Sequence, residues 1–179
     1  MAITINGSGR ITGVSVGGLP DGIVDSDMLA GLTDSDLPSG SVIQVVQDVS
    51  NTTQTTIATS GIWTDVSSIS ITPTSSSNKI KVTCVCPIGI YGTSAQLRGS
   101  PRLLRDGSSV WNVAGYVEMS QVRNATDEHN ALWCWSFVDS PATTSSVTYK
   151  VQGRLHTGSA LYFFQASRGY NLICEEIVG

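Results

Sequence analysis

This sequence has little charge. Only 13% of its 179 residues are Asp, Glu, Lys or Arg, about half the ordinary share of roughly 25%, and Ser, Thr and Gly fill the gap. A coiled coil, which needs charged flanks along its seam, is excluded. Bases are scarcer than acids: ten Lys and Arg against fourteen Asp and Glu leave a net charge of −4, the wrong sign for a chain that binds nucleic acid or an anionic membrane. Long apolar runs are missing too. No stretch approaches the roughly 18–20 residues that span a bilayer, and no basic start is followed by an apolar run. The expectation is a soluble protein, made in a reducing cytosol, with no membrane insertion and no nucleic-acid partner.

Catalytic signatures are equally scarce. There are two histidines, His129 and His156, and no Cys-x-x-Cys, His-x-x-x-His or Gly-x-Ser-x-Gly. Asp127, Glu128 and His129 are consecutive and do not converge on one metal. The reading is no enzyme, no metal and no cofactor. A polysaccharide depolymerase is the rival class, but it needs paired carboxylates in an apolar setting, and few acids of residues 41–179 have one. Four cysteines, at 84, 86, 134 and 174, read as free thiols. Cys84 and Cys86 lie two apart on a strand, about 6.6 Å between Cα atoms, at the long limit for a disulfide.

What the sequence does have is alternation. In Lys79–Tyr91 six apolar residues (Ile80, Val82, Cys84, Cys86, Ile88 and Ile90) fall at every second position, which predicts a half-buried strand. Val147, Tyr149, Val151 and Leu155 alternate likewise with Thr148, Lys150, Gln152 and Arg154. Val42–Val49, Trp63–Ile71 and Val110–Met119 predict further strands, the last with Trp111, Val113, Val117 and Met119 on one face. Asp106-Gly107 is a tight-hairpin signal. Residues 72–78 and 139–144 are turn clusters, and no window carries four turns of helical spacing. The fold class expected is all-β: an antiparallel β-sandwich of jelly-roll type over residues 41–179.

Residues 1–40 differ. They hold five aspartates against Arg10 alone, a net of −4, while residues 41–179 are formally neutral. The shift coincides with Leu37-Pro38-Ser39-Gly40, where a boundary is expected. Two short strands around Ile3–Ile5 and Ile11–Val16, and one helical turn over 27–30 capped by Asp25 or Ser26, bury too little to stand alone. Docking by strand addition through Ile3, Ile5, Ile11, Val14 and Val16 is the expected route.

Three segments are apolar on both faces: Leu132–Val138, Leu161–Phe164 and Leu172–Cys174. A two-layer sandwich covers one face of each strand. The second face is closed either by the chain's own loops or by another copy of the chain, and Trp133, Trp135, Phe137, Phe163 and Ile173 are the candidate subunit interface. Arg98 and Arg102, with Trp111 and Tyr116, are the candidate contacts for an acidic sugar or a protein carboxylate. His129 and His156 read as solvated.

Several segments together resemble a known family. Met1–Gly9, Gly18–Val24 followed by Asp27-Met28-Leu29-Ala30, Leu37–Gln47, Trp63–Pro73, Asn78–Val82, Asp139-Ser140-Pro141 and the end near Glu175-Glu176-Ile177 are similar, in order and spacing, to tail-fibre-like virion proteins of tailed bacteriophages, especially those of aquatic hosts. Residues 93–130 depart most from the pattern. The resemblance implies a homotrimer, an attachment segment at residues 1–40 that docks to other virion proteins of the tail or capsid, and a β-sandwich head that meets a host surface glycan or protein. A head fibre or capsid-decoration protein is the alternative within the same frame.

Overall fold

The computed structural model describes residues 4–5, 11–12, 32–50, 54–93, 96–112, 117–121, 127–163 and 170–179. In chain order the strands are β1 (Thr4–Ile5), β2 (Ile11–Thr12), β3 (Val42–Ser50), β4 (Thr55–Ile57), β5 (Trp63–Ile71), β6 (Lys79–Gly92), β7 (Gln96–Arg105), β8 (Ser108–Asn112), β9 (Val117–Gln121), β10 (Asp127–Asp139), β11 (Val147–Thr157), β12 (Ala160–Phe163) and β13 (Tyr170–Ile177). The chain divides into two units, Met1–Asp36 and Leu37–Gly179.

In the first unit β1 and β2 pair antiparallel, Ile5 opposite Ile11. Asp34–Asp36 form a 3-10 turn, closed by the Asp36 carboxylate, which accepts from the Thr33 N–H and hydroxyl at 2.8 Å each. The helical turn expected over 27–30 lies outside the described residues. The division falls four residues before the composition shift, because 37–40 belong to the sandwich: the Gly40 N–H donates to the Val178 carbonyl at 2.9 Å.

The second unit is an all-β sandwich of two antiparallel sheets. In one, β6 is flanked by β10 on one side and, end to end, by β13 and β12 on the other, with β3 and β4 outside them. In the other the order is β5-β11-β7, with β8 and β9 sharing the far side of β7. Setting aside β4 and β12 and joining β8 to β9, the strands run first-eighth-third-sixth in one sheet and second-seventh-fourth-fifth in the other. Every connection but the β7–β8 hairpin then crosses between sheets, which is the jelly-roll winding.

The alternation predicted for β6 and β11 sets the core. Ile80, Val82, Cys84, Cys86, Ile88 and Ile90 face Val147, Tyr149, Val151 and Leu155, all nearly inaccessible. Burial pushes the Cys84 and Cys174 thiols up to about 12, so both stay protonated and act as small apolar groups. The hairpin is where Asp106-Gly107 placed it, with both residues at positive φ (47° and 85°) as the turn requires. The single strand expected over Val110–Met119 is two. Both β8 and β9 pair with β7, with register shifts at Leu103/Leu104 and at Leu97/Arg98.

Two buried polar clusters pin the sheets. The Asp139 carboxylate takes the Tyr149 hydroxyl at 2.8 Å and Arg105 Nη1 at 2.7 Å. Glu176, fully buried, has no cation beside it among the described residues. Its Oε1 instead accepts from the Thr74 N–H and hydroxyl, at 2.7 Å each, and from Asn78 Nδ2 at 2.8 Å, which fastens the 72–78 turn to β13.

Candidate functional site

Strand alternation gives the β5-β11-β7 sheet an outer face that is almost wholly polar. β7 sends Arg98, Ser100 and Arg102 outward, and β11 sends Lys150, Gln152, Arg154 and, at a bulge, His156; β5 adds Trp63 and Asp65. Register then places Arg154 between Trp63 and Ser100, and Gln152 between Asp65 and Arg102. Four cations with one described acid meet on this face of a chain that is acidic overall; the register also sets Glu118 of β9 opposite Arg98.

The indole of Trp63 organises the middle of the face. The Arg102 guanidinium lies over it at 4.3 Å from the ring centroid, with that of Arg154 at 5.9 Å. Arg102 Nε donates to Gln152 Oε1 at 2.7 Å, and Lys150 pairs with Asp65 at 2.7 Å. Nε of Arg154 is buried and meets no acceptor among the described residues. Ser100, 1% exposed, shares a hydrogen bond of 2.8 Å with Nε2 of half-buried His156. Burial, and then the positive charges of Arg154 and Arg98, hold the His156 pKa below its ordinary value. Burial also lowers Arg102, helped by Arg154, though a guanidinium keeps its charge at any ordinary pH. The hydrogen bonds from Gln152 and Lys150 lower Asp65. An oxyanion is the ligand such a face suits.

Of the residues named from sequence as surface contacts, Arg98 and Arg102 lie together here. Trp111 lies elsewhere: it faces inward opposite Leu103 and stacks on Trp135, 4.8 Å between centroids at 23°. Tyr116 is outside the described residues. Trp63 and Arg154 were missed. Their outward position was legible in the alternation, but the register that brings them beside Arg102 was not.

The second face belongs to β10. It pairs with β6, unbroken from Asp127–Gly92 to Asp139–Ile80, and no described strand pairs with its other edge. Trp133, Trp135 and Phe137 point inward and are half-buried against the core. Trp133 meets Phe163 edge-on at 5.4 Å, and Phe163 is itself 1% exposed. The outward residues of β10 are Leu132, Cys134, Ser136 and Val138. Leu132 is 63% exposed, and Cys134 is exposed as well. Register continues this patch across Pro87, Val85 and Thr83 of β6 to half-buried Ile173 of β13. Of the five candidate interface residues, only Ile173 lies on this outer face. Of the candidate docking residues, Ile5 and Ile11 are the β1–β2 pair; Ile3, Val14 and Val16 are outside the described residues. No three His, Cys, Asp or Glu side chains cluster as a metal site among the described residues, and no described helix is long and apolar enough to cross a membrane.

No protein-family model matches the chain, and no curated protein matches it. Among solved structures it is similar to particles described as infectious bursal virus derived T=1 particles, with 13% identity and a TM-score of 0.35, over 76% of this chain and 36% of that one. It is also similar to infectious bursal disease virus Gx strain, with 13% identity and a TM-score of 0.33, over 78% and 39%. The chain spans less than two-fifths of the length of either. At these scores the strand order, and not the likeness, carries the fold.

Proposed function

We propose that this chain is a non-enzymatic structural protein of a virion, a receptor-binding tail fibre whose N-terminal segment docks it to the particle and whose β-sandwich heads associate as a trimer and contact the host surface. The observation that carries the reading is the open, doubly apolar β10. Thirteen residues of strand with Leu132, Cys134 and Val138 exposed on one face are a standing aggregation hazard for a monomer and an interface for an assembly. The family resemblance supplies the particle, and the weakly charged, Ser- and Thr-rich surface suits packing against copies.

Four of the described carboxylates are committed to structure, which supports a binding role over a hydrolytic one: Asp65, Asp139 and Glu175 are each paired with a cation at 2.7 Å, and Glu176 is tied to Thr74 and Asn78. Quantitative mass spectrometry of purified particles tests the reading, with and without residues 1–40. The chain is expected in a copy number divisible by three, and in particles only when 1–40 is present. Equal incorporation of the truncated chain would refute the docking role, and absence of the full chain would refute the whole reading.

A further inference from the structure

We infer that the outer face of the β5-β11-β7 sheet is a binding site for a carboxylate-bearing (uronic-acid) glycan, received between the guanidinium groups of Arg102 and Arg154 beside the Trp63 indole. Three observations converge on it. Two arginines from different strands share one indole, at 4.3 and 5.9 Å, so like charges are held together, and Asp65, the acid that acts on Arg102, is itself bonded to Lys150 and Gln152. Nε of Arg154 is buried and without an acceptor among the described residues, a donor that a native structure ordinarily satisfies. Arg98, Arg102, Lys150 and Arg154 gather on this one face by register, and the His156 pKa is lowered there, by burial first and then by the charges of Arg154 and Arg98.

The surroundings select a sugar over a peptide. β11, which carries Arg154 and Gln152, is hydrogen-bonded to β5 on one side and to β7 on the other, so at the arginines themselves recognition falls to side chains; the backbone edge of this sheet lies one strand away, at β5. Beside the arginines stand the neutral amide of Gln152 and one indole, which match ring hydroxyls and a C–H face, while Ser100 is buried against His156 and Asp65 is taken up by Lys150 and Gln152. A guanidinium fork takes a carboxylate through two parallel bonds, a geometry that lysine does not reproduce.

The inference rests on the proposed function for its biological setting, but binding is measured separately. Calorimetric titration of the full chain with trigalacturonate and with its methyl ester is the test, together with NMR titration of the His156 ring. Expected are binding of the acid, at least tenfold weaker binding of the ester, and a rise of the His156 pKa when the acid is bound. Arg154→Gln and Arg102→Gln each weaken the acid at least tenfold, and Arg154→Lys restores only part. Equal affinity for acid and ester overturns the site, as does no binding of either, or full binding by both folded glutamine variants. Equal binding of an aspartate-rich peptide shows a surface that reads charge alone, and overturns the glycan assignment. Should a glutamine variant fail to fold, the acid–ester contrast and the His156 shift in the native chain still decide. A chain that binds trigalacturonate yet is missing from particles would remove the virion reading and leave the site standing.

Discussion

Two residues carry most of the local consequence. Gly153 lies in β11 where Phe163 of the opposite sheet enters, and a Cβ there would run into its ring and into Ile57. The ring is rigid and buried, so it has nowhere to retreat. Gly153→Ala is expected to cost about 2–3 kcal/mol through overpacking, measured by urea unfolding, and a change within experimental error would contradict the packing. His156 gives the pH dependence. Its folded pKa is depressed by burial, Arg154 and Arg98, so above the unfolded value of about 6.5 the histidine is neutral in both states and costs nothing. As pH falls through 6.5 the unfolded chain takes up the proton first, so stability declines until the lower folded pKa is passed. His156→Gln should abolish that decline between pH 7 and 5; an unchanged profile would assign it elsewhere.

At the scale of elements, the β7–β8 hairpin shows why some structure was legible and some was not. Asp106-Gly107 names its own turn, because few other pairs accept two positive φ values. Gly107→Ala, at φ 85°, should cost about 1–2 kcal/mol from left-handed strain, read by thermal or chemical melting. β5, β6 and β11 were equally legible, since period-two burial writes itself into Trp63–Ile71, Lys79–Gly92 and Val147–Thr157. The register shifts of β8 and β9 along β7 were not, because a bulge answers to the partner strand and not to local pattern. Nor was the orientation of β10. Both its faces are apolar, so Trp133 and Leu132 are interchangeable in sequence, and only pairing with β6 sends the tryptophans inward. The arginine face was half visible: outward alternation marks Arg98, Arg102 and Arg154 separately, while the meeting of Arg102 and Arg154 over Trp63 depends on registers across three strands. For β10 itself, Leu132→Glu with Val138→Glu puts charge on an exposed face and should leave unfolding within about 0.5 kcal/mol. Self-association, followed by sedimentation velocity, should be lost; association at undiminished strength would move the interface off β10.

For the whole molecule, the neutral charge of residues 41–179 conceals a division of labour. The six-stranded sheet is apolar toward its β10 edge, where Leu132, Cys134 and Val138 are exposed, and the other sheet gathers Arg98, Arg102, Lys150 and Arg154. One face suits copies of the same chain, the other a ligand with negative charge. The most direct test of this account is a cryo-electron microscopy map of the particle that carries the chain. Jelly-roll density in groups of three on an external fibre, β10 toward the threefold axis, is the result expected; single, isolated sandwiches, or a particle without this density, would contradict it.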